Sequence, residues 1–249
     1  MHSKKPLVIL GTGSLHAYGL PRIFEIAKKA GFDGLELMMR GQTESGFWDT
    51  WDAKYLKKLE KEYALPIITI HSPYGFDDNL IGWEEVQELA KKLEVEQIVC
   101  HIPYLSNKPY LKWFKKNYPG KSDCFTLLAE NLSCSGPYPE TLYDGVTQWQ
   151  TLPAMCFDIN HAQFNYPDPS GIIAQLDNIK QFHVSNYDGK NFHRSILENK
   201  PLFKKIFKQN KTAIRSVEYF NPTFPDFRDQ EEVVSILKDT IEFIKESSV

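Results

Sequence analysis

The sequence has few cysteines and no long apolar segment, and each scarcity excludes a class of protein. Four cysteines occur among 249 residues, and none of them form a CxxC pair. Cys100 and Cys156 lie inside apolar runs, which predicts reduced, buried thiols rather than disulfides. The apolar run before Gly11 is too short for the core of a signal peptide and far too short to span a bilayer. We therefore expect a cytoplasmic protein without disulfides and without a membrane partner.

The sequence also lacks a large excess of positive or negative charge, and it has no phosphate-binding motif. The formal net charge is −3 with a pI near 6.2, so nothing in the overall balance indicates a polyanionic partner, although a local basic face remains compatible with it. No GxGxxG or GxxxxGK[ST] sequence follows an apolar run, and Gly11 and Gly13 form only a short GTG, which is more typical of a tight turn. Apolar residues make up 42% of the chain, which is enough for a sizeable globular core.

What the sequence does contain is an eightfold alternation of strand-like runs and helical segments. The runs are rich in Ile, Val, Leu and Phe, as in strands buried on both faces, and they span 7–11, 33–39, 66–72, 97–103, 126–132, 154–159, 180–185 and 213–219. The spacing predicts clear helices over 21–31, 50–64, 83–94 and 229–246, and helix-containing connections over 107–121, 138–152, 168–178 and 195–210.

Eight β-then-α units in about 250 residues predict a single (β/α)8 TIM barrel over residues 1–249, of the α/β class. A doubly wound open sheet is the alternative. It would not normally gather functional groups from so many strands. The barrel is therefore the favoured fold.

Histidines and acidic residues recur at the ends of these runs. Imidazoles and carboxylates at the carboxyl ends of adjacent parallel strands converge on one point, where they can form a metal site with one or more ions. Six of the seven histidines lie at or just after such ends. The residues concerned are His71, His101, Glu130, Asp158, His161, His183 and Glu218, with His16 and His193 in the loops after the first and seventh runs.

Four of these residues come from four successive strands, and each of the four has a side chain that can bind a metal ion. Glu130, Asp158, His183 and Glu218 form a set of three carboxylates and one imidazole, which suits Mn²⁺, Mg²⁺, Co²⁺ or Zn²⁺ and leaves positions open for substrate or water. His161 follows Asp158 by three residues and can be a ligand of a second metal or a substrate-binding acid or base. Glu36 in the second run can contact substrate, orient a histidine or form a structural ion pair.

The ordered strand ends resemble those of the xylose-isomerase-like barrel superfamily. The matching features are GFDGLEL on the second strand, His on the third and fourth, Glu-Asn on the fifth, Asp-x-x-His on the sixth, His on the seventh and Glu on the eighth. That superfamily includes sugar isomerases and epimerases, inosose dehydratases and the endonuclease IV family of abasic-site nucleases. The resemblance covers essentially the whole chain and is specific for the superfamily rather than for one reaction.

The nuclease pattern implies up to three zinc ions. His71, His101 and Glu130 would hold one zinc, and Glu130, Asp158, His183 and Glu218 a second. The third would use His161 with an Asp-x-His pair, for which this chain offers Asn191-Phe192-His193, so the aspartate is missing. We therefore expect one or two metal ions per chain.

The isomerase pattern implies one divalent ion and proton transfer by paired glutamates, Glu130 and Glu218, with His161 as a further catalytic residue. DNA cleavage would require basic residues on the loops at the strand ends, where Arg40, Lys108, Lys190 and Arg194 are the few present. The leading hypothesis is a metal-dependent sugar isomerase or epimerase with a small sugar as its substrate, as a monomer or an oligomer. The alternatives are a zinc-dependent abasic-site endonuclease, for which DNA is the partner, and a non-catalytic metal-binding barrel.

Overall fold

A computed structural model describes residues 5–16, 18–39, 52–72, 83–118, 125–133, 140–219 and 229–248. Arg40, one of the basic residues considered above, lies outside the described residues. None of the helices within the described ranges combines the length and apolar character that crossing a membrane requires.

Eight parallel strands close into a barrel in chain order, with β8 hydrogen-bonded back to β1. This confirms the predicted (β/α)8 architecture. The strands are β1 (Val8–Gly11), β2 (Gly34–Met38), β3 (Ile67–His71), β4 (Gln97–His101), β5 (Thr126–Glu130), β6 (Met155–Asp158), β7 (Ile179–Val184) and β8 (Ile214–Val217). Seven of the eight lie inside their predicted ranges, and β7 begins one residue before its predicted range of 180–185. Nearly every strand residue is buried, because the barrel interior covers one face and the helices cover the other.

Helices follow the strands around the outside of the barrel. In the described residues they are α1 (Leu20–Ala30), α2 (Ala53–Tyr63), α3 (Trp83–Leu93), α4 (Lys108–Asn117), α5 (Val146–Trp149), α6 (Ile159–Asn165), α7 (Ser170–Ile173), α8 (Lys200–Gln209) and α9 (Gln230–Ser247). Two single turns of 3₁₀ helix, Thr12–Leu15 and Ile196–Asn199, accompany them.

The clear helices begin and end at the residues that their sequences favour. Pro21 lies in the first turn of α1, and Gly31 ends that helix with a left-handed φ of 93°. The Asp229 side chain accepts hydrogen bonds from the backbone N–H groups of Glu231 and Glu232 at the start of α9. Apolar residues at helical spacing on α9, from Val233 to Ile244, are buried against the barrel.

Two connections contain less helix than the sequence suggests. Of the segment predicted over 138–152, the described part, 140–152, contains only the single turn α5, and the segment over 168–178 contains only α7. Prolines and glycines border both segments and limit how far a helix can extend. Conversely, α6 begins directly after β6, in a stretch for which the sequence predicted no helix, because Asp158 both ends the strand and caps the helix.

The inward-facing side chains form two layers near the carboxyl ends of the strands. We call the outer one the upper layer, made of His71, His101, Glu130, Asp158, His183 and Glu218. Residues two positions earlier face the same side of a strand, and we call them, with Glu36, the lower layer: Glu36, Thr69, Val99, Leu128, Cys156, Gln181 and Ser216. Val99, Leu128 and Cys156 pack together with Ala154 in a small apolar cluster. Cys100 and Cys156 are buried free thiols, as predicted.

Candidate functional site

The barrel brings the upper-layer side chains to one place. β3, β4, β5 and β6 end at His71, His101, Glu130 and Asp158, while Glu218 directly follows β8. Neighbouring strands hold these residues side by side, since His101 is in register with Glu130 and Asp158 with His183. Each is buried except His101, which is slightly exposed. Their convergence follows from parallel strands that end at the same edge of a closed barrel.

Glu130 contacts three histidines, two through one carboxylate oxygen and one through the other. Its Oε2 lies 2.9 Å from His71 Nε2 and 3.2 Å from His101 Nε2. Its Oε1 lies 2.9 Å from His183 Nδ1. A carboxylate that contacts histidines through both oxygens can serve either one ion or two neighbouring ions.

His183 presents one ring nitrogen to three carboxylates. Its Nδ1 is 2.9 Å from Glu130 Oε1, 3.4 Å from Glu218 Oε2 and 3.7 Å from Asp158 Oδ2. Two carboxylate oxygens of this group, Asp158 Oδ2 and Glu218 Oε1, are buried and accept no hydrogen bond from the described residues. Buried anionic oxygens normally have a partner. These two are therefore suited to accept a cation.

Asp158 is held by its surroundings so that one oxygen remains available. Its Oδ1 accepts hydrogen bonds from the His161 backbone N–H at 2.9 Å and from Asn160 Nδ2 at 2.6 Å. The Asn131 side chain hydrogen-bonds both the backbone N–H and the backbone carbonyl of Asp158, at 2.8 and 2.9 Å. The cap of α6 therefore fixes the carboxylate and leaves Oδ2 toward His183.

His71 is oriented by a backbone contact. Its Nδ1 lies 2.9 Å from the Ser72 carbonyl oxygen, which can only accept a hydrogen bond, so Nδ1 carries a proton. Nε2 then faces Glu130 and is the nitrogen available to a metal. The His101 carbonyl is fixed by the Tyr110 hydroxyl at 2.6 Å.

His161 and His193 border this group on the side of β6 and β7. His161 Nδ1 is 2.8 Å from Ser133 Oγ, and its Nε2 is 3.7 Å from Asp158 Oδ2. His193 has a left-handed φ of 56°, and its Nδ1 is 3.9 Å from Glu218 Oε2. Their ring centroids are 5.8 Å apart. Both are near the upper layer without belonging to its tightly packed groups.

Asn191, which stands where the nucleases have aspartate, is engaged in its own turn. Its Nδ2 donates to Asp188 Oδ2 at 3.0 Å, and its backbone N–H donates to Asp188 Oδ1 at 2.7 Å. The Asn191 amide therefore stabilises the loop after β7. Glu36, also a predicted site residue, lies in the lower layer, where its Oε1 is 3.2 Å from His183 Nε2.

Burial and mutual contact shift the pKa values of these groups in opposite directions. Burial alone would raise the pKa of Glu130, but His183, His101 and His71 outweigh it and hold that pKa well below the usual value. Burial alone would lower the pKa of His71, but the Glu130 carboxylate raises it to about 9. Burial raises the pKa of Glu218 to about 8. Crowded acids that cannot all ionise are a common property of functional sites.

The donor set fits a divalent cation. Three groups of side chains have ligand atoms within 4.8 Å of one another: His71, His101 and Glu130; His71, His183 and Glu218; and Glu130, Asp158 and His183. Carboxylate oxygens and imidazole nitrogens at this density are typical ligands of Mn²⁺, Co²⁺ and Zn²⁺. A bound cation would also balance the buried negative charge.

Sequence reasoning missed several residues that support the site. Gly11 makes room for Glu218, since a Cβ at this position would lie 3.1 Å from Glu218 Cγ and 3.3 Å from the Val217 carbonyl oxygen. Ser133, three residues after β5, contacts His161 of α6 at 2.8 Å, and no local spacing indicates this contact. Gln181 could have been found, because it precedes His183 by two residues and so faces the same side of its strand.

Solved structures of other proteins have the same fold, and the names of two of them refer to sugar epimerases. A D-tagatose 3-epimerase-like protein is 17% identical with a TM-score of 0.65 and matches 98% of this chain and 100% of that chain. A D-allulose 3-epimerase from Methylomonas sp., solved with D-allulose, is 14% identical with a TM-score of 0.67 and matches 98% of each chain. The IOLI protein, whose structure holds a zinc atom, is 13% identical with a TM-score of 0.65 and matches 98% of this chain and 99% of that one. These matches show that the chain has the barrel fold of these proteins, the fold that the resemblance implied.

Curated relatives are more similar in sequence but match only part of the chain. An uncharacterised protein of Mycobacterium leprae is 28% identical over 119 residues, which are 44% of this chain and 41% of that protein. An uncharacterised protein of Mycobacterium bovis is 27% identical over 112 residues, 42% of this chain and 38% of that one. The chain thus spans about two-fifths of the length of the curated relatives it matches. No protein-family profile matches the sequence.

Proposed function

We propose that this protein is a divalent-metal-dependent isomerase or epimerase of a small sugar or sugar derivative. Glu130, Asp158, His183 and Glu218 would hold the metal ion, and His71 and His101 would hold a second ion with Glu130 as the bridge. The observation that carries the proposal is the approach of Glu130 and Glu218 to the same ring nitrogen of His183, at 2.9 and 3.4 Å. Two carboxylates on one centre can remove a carbon-bound proton and return it. The sugar epimerases that share the fold support the same reaction class.

The residues divide the chemistry between them. A bound divalent cation polarises substrate oxygens and acidifies the neighbouring C–H bond. Glu130 and Glu218 then remove the proton from one face of the carbon and return it to that face or to the other. His161, held by Ser133 at 2.8 Å, directs its second nitrogen toward Asp158 and so toward a substrate hydroxyl. The buried upper layer limits the access of water to the reacting carbon.

The reaction is tested by deuterium exchange. Purified protein is loaded with Mn²⁺, Co²⁺ or Zn²⁺ in D₂O and incubated with a panel of ketoses, aldoses and their phosphates, and NMR monitors exchange of the carbon-bound proton. We expect exchange in at least one sugar, dependent on the metal and abolished by chelation. Metal analysis of the same sample should give one or two ions per chain, whereas three tightly bound zinc ions would favour the nuclease.

The nuclease alternative makes an opposite prediction for DNA. Arg194 is already paired with Glu198 at 2.8 Å and lies 3.6 Å from Asp188, so this basic residue is partly neutralised at the loop after β7. We expect little affinity for duplex DNA and no incision of an oligonucleotide that contains an abasic site. Incision by the metal-loaded protein that is lost on His101→Ala would contradict the isomerase proposal.

Metal binding should strengthen as the pH rises from about 6 to about 9. His71, with a pKa raised to about 9, and Glu218, with a pKa raised to about 8, both hold a proton at pH 7 in the metal-free protein. Each must lose that proton to donate a lone pair, so the metal displaces protons and low pH opposes binding. Calorimetric titrations in two buffers of different ionisation enthalpy measure the protons released. A pH-independent affinity would contradict this account.

Gly11→Ala should weaken metal binding without unfolding the barrel. The added Cβ would press on Glu218 Cγ from 3.1 Å, so Glu218 must shift by a few tenths of an ångström. A mutation in a residue that positions a metal ligand typically reduces metal affinity about tenfold or more. Gly171→Ala is the matched control, because a Cβ there meets no atom within 4 Å. Equal affinities for both variants, measured by chelator competition, would show that Gly11 does not position Glu218.

A further inference from the structure

Glu36 is a buried acid in the lower layer that reaches across the barrel from β2 to β7. Its Oε1 lies 3.2 Å from His183 Nε2, and its Oε2 accepts a hydrogen bond from Gln181 Nε2 at 2.8 Å. Glu36, Gln181 and His183 have no exposed surface. Glu36 therefore contacts the nitrogen of His183 that faces away from the upper-layer carboxylates.

The two nitrogens of His183 thus have separate partners. Nδ1 faces Glu130, Asp158 and Glu218, which the proposed function assigns to the metal. An imidazole can donate a lone pair through Nδ1 only when its proton is on Nε2. The oxygen placed to accept a hydrogen bond from Nε2–H belongs to Glu36. A carboxylate behind a histidine ligand is the arrangement that fixes the ring proton and the ring orientation.

Packing gives no reason for an acid at this position. Within the described part of the chain, no lysine or arginine forms an ion pair with Glu36, whose hydrogen-bond partners are His183 and Gln181. The same layer is apolar on the opposite wall, at Val99, Leu128 and Cys156. A buried carboxylate is unfavourable unless it is paired and hydrogen-bonded, and His183 and Gln181 are the groups that fulfil this for Glu36.

We infer that Glu36 is a positioning residue that holds His183 in the Nε2–H form and presents Nδ1 to the metal ion. The inference rests on the proposed metal-dependent function. It adds Glu36, a residue of the lower layer, to the site, and it specifies that His183 binds the metal ion through Nδ1. The hydrogen bond from Gln181 to the other oxygen of Glu36 keeps the carboxylate in the plane that reaches Nε2.

The experiment compares the metal affinity of three variants with that of the wild-type protein. Glu36→Met removes the acceptor at similar volume, Glu36→Gln keeps an acceptor oxygen without the charge, and Thr69→Val is the matched control. Thr69 is in register with Glu36, is buried, and its hydroxyl has no hydrogen-bond partner within the described residues. Zn²⁺ affinity, measured by chelator competition, should fall about 10- to 100-fold in Glu36→Met and less in Glu36→Gln, and stay unchanged in Thr69→Val.

Nitrogen-15 NMR of the histidine rings shows which ring nitrogen is protonated and which is bound to the metal. A purely structural role of Glu36 would not determine this. In the Zn²⁺-loaded wild-type protein, His183 should show a metal-bound Nδ1 and a protonated Nε2. This measurement needs no variant, so it decides the inference even where Glu36→Met does not fold. His183 bound through Nε2, or equal Zn²⁺ affinity in wild type and folded Glu36→Met, would overturn the role of Glu36 alone. A wild-type protein that binds none of Zn²⁺, Co²⁺ and Mn²⁺ would instead refute the proposed function and this inference with it.

Discussion

Glu130→Gln is expected to abolish tight metal binding. Its two oxygens contact His71, His101 and His183, so one substitution removes a negative ligand that all three histidines contact. With metal at about 100 times its Kd, the wild-type protein should gain about 2.7 kcal/mol of stability. For a chain of this size that gain corresponds to a rise in Tm of roughly 5–10 °C, which the variant should lose. Differential scanning fluorimetry with and without metal measures the shift.

The control for this prediction is Glu62→Gln on the exposed face of α2. It removes the same charge from the surface and should keep the full metal-dependent rise in Tm. A Glu130→Gln protein that is stabilised by metal as strongly as the control would show that the ion binds elsewhere.

Glu218→Gln is expected to reduce proton exchange by about 10²- to 10⁴-fold, the usual loss when a general acid or base is removed. The metal-free fold should remain intact, because Glu218 Oε1 accepts no hydrogen bond from the described residues and the side chain lies at the open end of the barrel. Removing a buried acid whose pKa is raised to about 8 should leave stability unchanged or slightly higher at pH 9, where the ionised wild-type carboxylate is unfavourable.

Rates in D₂O and circular dichroism of the metal-free protein check both parts of this prediction. Glu198→Gln, a surface change in the same half of the barrel, should keep the wild-type rate. Proton exchange that survives in Glu218→Gln at the wild-type rate, with metal bound, would remove Glu218 from the proposed mechanism.

The strands could be predicted from sequence because parallel barrel strands are buried on both faces and read as short apolar runs. Seven of the eight observed strands lie within their predicted ranges, and β7 begins one residue early, at Ile179. The short helices were harder, since α5 and α7 are single turns whose form depends on the neighbouring loops rather than on their own periodicity. The helix α6 depends on Asp158, which reads equally well as a strand end and as a helix cap.

The sequence was enough to predict which residues line the candidate site and that they lie at the carboxyl ends of the strands. A histidine or acid at the end of a parallel strand must point toward the barrel mouth, so the proximity of Glu130, Asp158 and His183 required only the fold. Their roles as ligands remain predictions. The role of Glu36 was left open among substrate contact, orientation of a histidine and a structural ion pair. The GLEL sequence places Glu36 on β2 but does not show which residue of β7 it faces.

The sequence by itself determined the eightfold alternation and which strand ends carry imidazoles and carboxylates, because local periodicity sets both the strand and the face of each side chain. Only the tertiary structure decided which oxygen of Asp158 is left without a hydrogen bond, that Glu130 reaches two groups of histidines, and that Glu36 lies behind His183. These facts depend on the register and closure of the barrel, which bring residues more than a hundred positions apart, such as Glu36 and His183, within hydrogen-bonding distance. Such distances are properties of the packed barrel and of no single segment.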